Sequence, residues 1–181
     1  MDLDFLLIEK IKNGNDEAGE QLVKKYYAPI FQYCFLHLHD RECAEDITQE
    51  TFLRFFESVT TYTERGKVKS YLYCIAGNRI KNYYKKKKEI LPGEMPEIPS
   101  GNTGEIETRL DIERAIENLP ENLKETTILY FFQGMKQREI ADMLNITVSL
   151  VKYRIKEARR ILKEYLEVKS DETVSKEDKR I

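Results

Sequence analysis

The sequence predicts an all-α protein built from two small helical domains joined by a flexible acidic linker. Apolar residues recur at spacings of three and four, whereas no stretch alternates convincingly at a spacing of two. This pattern breaks at 89–107, which contains three of the five prolines, three of the eight glycines, five acidic residues and no basic residue. Such a stretch cannot bury enough apolar surface to order itself. A hydrophobic share of 41% over 181 residues is sufficient for a core on each side of it.

These features divide the chain into a domain at 1–88, a linker at 89–107, a domain at 108–167 and a polar tail at 168–181 that is expected to be disordered. No run of about 18 apolar residues occurs, so we expect no membrane insertion. The first residues carry acids where a signal peptide carries positive charge, which favours a cytoplasmic location.

Eight helices are expected from the apolar spacing. They lie near 3–13, 16–38, 41–59 and 68–87 in the first domain, and near 108–118, 121–133, 136–144 and 147–166 in the second. Pro29 should bend or interrupt the second helix, because proline removes a backbone donor. Pro120 suits the first turn of the sixth helix, and Gly134 suits its end. We expect the Thr147 hydroxyl to cap the N-terminus of the last helix.

The net charge of −2 conceals a strong segregation of charge along the chain. Residues 65–88 contain nine basic and no acidic residues, and residues 134–163 contain eight basic and three acidic ones. The flanking segments are acidic, with 6 basic and 13 acidic residues at 1–64 and 3 basic and 10 acidic residues at 89–133. Two compact basic blocks are typical of phosphate binding, although solvated helix faces are the alternative.

The third helix has an apolar side and an acidic side. Its expected buried residues are Ala44, Ile47, Thr51, Phe55 and Val59, flanked by Phe52 and Phe56. Its expected outward residues are Asp46, Gln49, Glu50, Leu53 and Glu57. An acidic stripe with a leucine in its middle is typical of a protein-docking surface, and a solvated face is the alternative.

The fourth helix combines an apolar face with amide, aromatic and basic groups. The residues expected to share the apolar face are Val68, Tyr71, Leu72, Ile75, Ala76 and Tyr83. Around them lie Lys69, Asn78, Lys81, Asn82 and Lys85. Lysines bind phosphates, amides read base edges and tyrosines stack on bases, so this set suits single-stranded or melted DNA. The lysines at 85–88 are equally consistent with a solvated helix end favoured by the helix dipole.

The clearest motif is a helix-turn-helix at 136–165. A short helix would bury Ile140, Ala141 and Leu144 before a turn at Asn145 and Ile146. The last helix places Val148, Val151, Ile155, Ala158, Leu162 and Tyr165 on one stripe, and Ser149, Lys152, Tyr153, Lys156, Arg160 and Lys163 on the other. An apolar back and a basic front suit insertion into a DNA major groove. An amphipathic hairpin within a helical bundle is the alternative.

Taken together, the chain resembles bacterial RNA polymerase sigma factors of the extracytoplasmic-function (ECF) group over about residues 5–166. AEDITQETF at 44–52 is similar to the polymerase-binding helix of sigma region 2. SYLYCIAGNRIKNYYKKKK at 70–88 is similar to the helix that recognises and melts the −10 element. The segment 119–162 resembles sigma region 4, whose helix-turn-helix reads the −35 element.

The resemblance implies a role for each set of residues. It implies polymerase contacts by Asp46, Gln49, Glu50 and Leu53. It implies −10 contacts by Tyr62, Arg65, Lys69, Tyr71, Asn78, Lys81, Asn82 and Lys85, with a flipped base held by the loop at 61–67. It implies −35 contacts by Ser149, Lys152, Tyr153, Arg154, Lys156 and Arg160. The implied partners are core RNA polymerase, promoter DNA and an anti-sigma factor.

The chain departs from the family pattern at several of these positions. Tyr71 occupies a position where tryptophan is usual, and Glu157 one where a basic residue is frequent. Ser149, Leu150 and Tyr153 replace Gly, Thr and Ser of a common Ser-x-Gly-Thr-Val-Lys-Ser-Arg pattern. These changes lie at or near the reading face of the last helix.

No cofactor, metal site or enzymatic activity is expected. The three cysteines lack the spacing of a metal site, and no nucleophile–base pair or phosphate-binding glycine loop occurs. A small helical enzyme or adaptor therefore lacks a candidate active site. A stand-alone helix-turn-helix regulator is a further alternative, but it leaves the basic fourth helix unexplained.

Overall fold

A computed structural model describes residues 3–63, 67–90 and 112–177. These residues form two compact units, one within 1–98 and the other within 99–181, and each is described by itself. All regular structure in the described residues is helical, as the sequence predicts. Residues 91–107 of the predicted linker and residues 178–181 of the predicted tail lie outside the described residues.

The first unit is a bundle of four helices. They are α1 (Leu3–Lys12), α2 (Asp16–Leu38), α3 (Arg41–Ser58) and α4 (Val68–Ile90). Helix α2 packs against the other three, and α3 also packs against α4. The largest side chains that the core buries completely are Tyr33, Tyr73, Phe55, Ile8, Leu22, Ile30 and Leu72. The core therefore fixes the face of α3 and α4 that each helix leaves to solvent.

Capping side chains set the ends of these helices. Asn15 accepts a hydrogen bond from the Ala18 backbone N–H at 2.8 Å and caps α2. Asp40 does the same for α3, accepting from the Cys43 N–H at 2.9 Å. Between α2 and α3, His39 has a left-handed backbone with φ 53°, which allows a tight reversal of the chain.

Of the two effects expected of Pro29, a bend or an interruption of α2, the interruption does not occur. The helix runs from Asp16 to Leu38 with Pro29 inside it. The neighbouring side chains Tyr26, Ile30 and Tyr33 are buried. We attribute the continuity to their packing, which offsets the cost of about 3 kcal/mol for a proline within a helix.

The buried face of α4 differs from the predicted one. Val68, Leu72 and Ala76 are buried as expected, but Tyr73 and Ile80 complete the core. The expected core residues Tyr71, Ile75 and Tyr83 are only partly buried. Tyr73 packs edge-to-face on Tyr33, with 5.1 Å between ring centroids. Gly77 lets the Tyr33 side chain lie close to α4, since a Cβ at position 77 would be only 3.0 Å from the Tyr33 hydroxyl.

The second unit contains a helical segment at 112–117 (α5) and the helices α6 (Glu121–Thr127), α7 (Gln137–Leu144) and α8 (Val148–Glu177). A π-helical turn at Ile128–Phe132 continues α6, where the sequence predicts one α-helix to 133. Gly134 follows with φ +60°, so it ends the helix as expected. Pro120 directly precedes α6 rather than lying in its first turn.

The helix-turn-helix is formed by α7 and α8. Asn145 ends α7 in a left-handed conformation with φ 53°, and Thr147 Oγ1 accepts a hydrogen bond from the Leu150 N–H at 3.1 Å. The predicted N-cap is therefore confirmed. Helix α8 continues to Glu177, beyond the expected end at 166. Residues 168–177, expected to be disordered, thus have a helical backbone that continues α8.

Candidate functional site

The first candidate surface is the outer face of α3. Its predicted core residues Ala44, Ile47, Thr51, Phe55 and Val59 are all buried, which turns Asp46, Gln49, Glu50, Leu53 and Glu57 outwards. Leu53 is 63% exposed, whereas the helix buries its other large apolar side chains wholly or in part. An exposed leucine beside acidic and amide groups offers a partner an apolar contact together with a negative charge, which suits docking to a basic protein surface.

One member of this surface is also tied to the neighbouring helix. Glu50 Oε1 accepts a hydrogen bond from Arg79 Nη1 of α4 at 2.7 Å, and Arg54 Nε lies 3.9 Å from the same oxygen. Glu50 is consequently only partly exposed. The ion pair between Glu50 and Arg79 connects the outer face of α3 with α4, and the sequence pattern did not indicate it.

The second candidate surface is the polar face of α4. Asn78, Lys81, Asn82 and Lys85 are all exposed, and their spacing of three and four places them on one side of the helix. The amides and ammonium groups alternate along this side. Lys69 lies nearer the start of the helix and is partly buried. The surface offers hydrogen-bond donors and positive charge with no acidic side chain on it.

Two tyrosines meet at the start of α4. The rings of Tyr62 and Tyr71 stack with centroids 4.7 Å apart and an interplanar angle of 13°. Phe55 of α3 supports both rings, with centroids at 6.1 Å from each. The Tyr71 hydroxyl is 3.0 Å from the Ser58 hydroxyl. The structure therefore brings these two predicted residues together, while Arg65 lies outside the described residues.

The third candidate surface is the front of α8, comprising Ser149, Lys152, Tyr153, Lys156 and Arg160, which are all exposed. Val151, Ile155 and Ala158 on the back of the helix are buried, as the sequence predicts. Tyr153 is 61% exposed, and Leu150 beside it is 37% exposed. Leu150 was not among the predicted −35 contacts, although the sequence places it at or near the reading face.

The two predicted arginines of α8 have different surroundings. Arg160 binds two carboxylates, since Nη1 lies 2.7 Å from Glu164 Oε1 and Nη2 lies 2.5 Å from Glu157 Oε1. The hydrogen bond from Arg160 lowers the pKa of the Glu157 carboxyl, which keeps it ionised. Arg154 is partly buried, and its Nε is enclosed without a hydrogen-bond partner. Arg154 therefore lies at the core edge rather than on the open front.

The three cysteines, Cys34, Cys43 and Cys74, form no disulfide in the described part of the chain. Burial raises the pKa of the Cys34 thiol to about 11. Within residues 3–63, 67–90 and 112–177, no three side chains of His, Cys, Asp or Glu are grouped to hold a metal ion. Across the same ranges, none of the helices has the length and apolarity needed to cross a bilayer.

Comparison with known proteins places both units in one family. Residues 22–90 match the family model of sigma-70 region 2, and residues 109–162 match that of sigma-70 region 4. The chain is 30% identical over 152 residues to the RNA polymerase sigma factor SigZ of Bacillus subtilis, covering 82% of this chain and 86% of that one. It is 28% identical over 176 residues to the ECF RNA polymerase sigma factor SigW of the same species, covering 88% and 94%.

Solved structures support the fold. CnrH, solved in complex with the cytosolic domain of CnrY, has a TM-score of 0.75 at 21% identity, covering 92% of this chain and 99% of that one. The sigma factor RpoE of Bartonella quintana, solved with the anti-sigma factor NepR, has a TM-score of 0.70 at 19% identity, covering 82% and 96%. The protein is therefore a member of the sigma-70 family, an ECF-group sigma factor that binds core RNA polymerase and directs promoter-specific initiation of transcription.

Proposed function

We propose that each of the three surfaces binds a different partner during transcription initiation. The outer face of α3 contacts core polymerase through Asp46, Gln49, Glu50 and Leu53. The polar face of α4 and the tyrosine pair bind the −10 element, and the front of α8 binds the −35 element. The observation that carries this proposal is that each surface lies opposite a buried apolar face, so most of its polar side chains face solvent.

At the −10 element, the residues of α4 suit a strand that has left the duplex. Lys81 and Lys85 supply charge for phosphates, and Asn78 and Asn82 supply amides for base edges. The stacked rings of Tyr62 and Tyr71 offer an aromatic surface for an unstacked base. Base–aromatic stacking contributes about 1–3 kcal/mol per base, which offsets the cost of a few kcal/mol for unstacking. Lys69 and Arg65 would support this site as further cations.

At the −35 element, the exposed front of α8 faces the major groove. Lys152 and Lys156 are exposed cations on this front, and Ser149 and Tyr153 carry hydroxyls that can reach base edges or phosphates. We place Arg154 and Arg160 at the margins of this contact, because one is partly buried and the other is bound to two glutamates.

The protein acts, in this proposal, as a dissociable factor of the cytoplasm that performs no covalent chemistry and needs no cofactor. The acidic segment 1–64 would disfavour DNA binding by the free factor until polymerase positions it. Free protein that binds promoter duplex tightly at physiological salt would contradict this part. An anti-sigma factor is a further proposed partner, since a fold relative was solved with one.

Run-off transcription with core polymerase tests the assignment of a separate partner to each surface. A promoter library first yields a template with functional −10 and −35 elements. Asp46→Asn should weaken polymerase binding, whereas Asp16→Asn, which removes an exposed acid outside the α3 face, should not.

Lys152→Ala should reduce −35-dependent transcription and leave polymerase binding intact, with Lys10→Ala in α1 as the matched control. The proposal fails if the protein does not bind core polymerase, or if both members of each pair behave alike.

A further inference from the structure

Two exposed apolar side chains interrupt the polar front of α8. Tyr153 is 61% exposed and Leu150 is 37% exposed, and their spacing of three residues makes them neighbours on the helix surface. Both lie in the first two turns of α8, directly after the cap at Thr147. The N-terminal residues of a recognition helix are those that contact base edges.

The surroundings of this apolar pair favour DNA over a protein partner. Lys156, three residues after Tyr153, is an exposed cation suited to phosphates, and Glu157, four residues after Tyr153, is bound to Arg160. A protein-docking centre is normally depleted of lysine. Between two phosphate backbones, the apolar group that a major groove presents is the C5-methyl of thymine.

We propose that Leu150 and Tyr153 read thymine methyl groups in the −35 element. The inference rests on the proposed function of α8. It adds that the front of α8 selects thymine at particular positions of the −35 element. Leu150 would cover one methyl with its branched end, and the Tyr153 ring would cover the same or the adjacent one. The chain would then require an A·T pair under the first turns of α8, with the thymine on the strand that faces the two side chains.

The expected effect follows from the size of a methyl group. Burying one such group strengthens binding about fourfold, so its removal from a contacted thymine weakens binding about fourfold. A thymine outside the contact should show no such change. The effect is small enough to require comparison on otherwise identical DNA.

Deoxyuridine provides that comparison, because it differs from thymidine only by the missing methyl. Holoenzyme is assembled from the full chain and core polymerase, and its −35 element is selected from a randomised library. Each thymine of the selected element is then replaced by deoxyuridine, and promoter affinity is measured for both templates. We expect about a fourfold loss at one or two positions.

Variants then assign the effect to the side chains. Leu150→Ala or Tyr153→Ser should abolish the difference between thymine and uracil at one of these positions. Lys152→Ala should weaken both templates equally and keep the difference. Circular dichroism of each variant should match the parent, because the three substituted side chains are exposed.

The outcomes separate this inference from the proposed function. Dependence on the −35 element without any difference between thymine and uracil overturns the inference and leaves the proposed function intact. The inference alone also falls if the selected element contains no A·T pair, or if Tyr153→Ser leaves promoter choice unchanged and weakens a protein contact instead. Absence of any −35 dependence in a holoenzyme that binds core polymerase overturns both.

Discussion

Leu53 offers the sharpest test of the polymerase contact. Its side chain is 63% exposed at the centre of the α3 outer face. Burial of a whole leucine side chain contributes about 1.5–3 kcal/mol, so covering the exposed part contributes about 1–2 kcal/mol. Leu53→Ala should therefore weaken the affinity for core polymerase about 5- to 30-fold. Titration of labelled factor with core polymerase measures the dissociation constant directly.

The chain provides a matched control in Leu3 of α1, which is 64% exposed and lies outside that face. Leu3→Ala makes the same chemical change at nearly the same exposure, and it should leave the affinity for polymerase unchanged. Neither substitution should lower the thermal midpoint appreciably, because neither side chain fills the core. Equal losses of affinity in the two variants would refute the assignment of the α3 outer face.

Three further predictions test the structure that supports the surfaces. Gly77→Ala should lower the free energy of unfolding of the first domain in urea. Crowding against the buried Tyr33 costs about 1–3 kcal/mol, whereas the higher helix propensity of alanine stabilises the helix by only about 1 kcal/mol. A variant that is more stable than the parent would contradict this. Thr147→Ala should lower the unfolding free energy of the second domain by about 1 kcal/mol in thermal melts, and Thr147→Ser should retain most of it. A double-mutant cycle with Glu50→Gln and Arg79→Gln should give a coupling of about 0.5 kcal/mol that disappears in concentrated salt, because both side chains are partly exposed.

The sequence predicted the positions of the helices and the faces of α3 and α8 well. Both helices have a simple pattern in which apolar residues repeat on one side, so burial leaves little choice of orientation. The buried positions Ala44, Ile47 and Phe55 in α3, and Val151 and Ile155 in α8, follow this pattern.

The pattern was less informative for α4. Its tyrosines are amphipathic, so their positions do not define a single core face. Packing against Tyr33 selected Tyr73 for the core and left Tyr71 partly exposed. The continuity of α2 through Pro29 likewise depends on tertiary packing that no local rule expresses.

Ion pairs between particular side chains were also beyond the sequence pattern. The contact of Glu50 with Arg79 joins two helices whose relative rotation the sequence does not specify. Glu157 departs from the family pattern at the reading face, but its bond to Arg160 depends on the rotamers of both side chains.

The two carboxylates on Arg160 affect how −35 binding should respond to salt. Each lysine or arginine that neutralises a DNA phosphate releases condensed counterions, and these set the slope of affinity against salt concentration. Arg160 is already paired with Glu157 and Glu164, so these carboxylates would partly offset its charge near a phosphate. A count of the cations on α8 therefore overstates the number of counterions released. Binding by this domain should tolerate added salt better than its basic composition indicates, and it should depend correspondingly more on contacts with the bases.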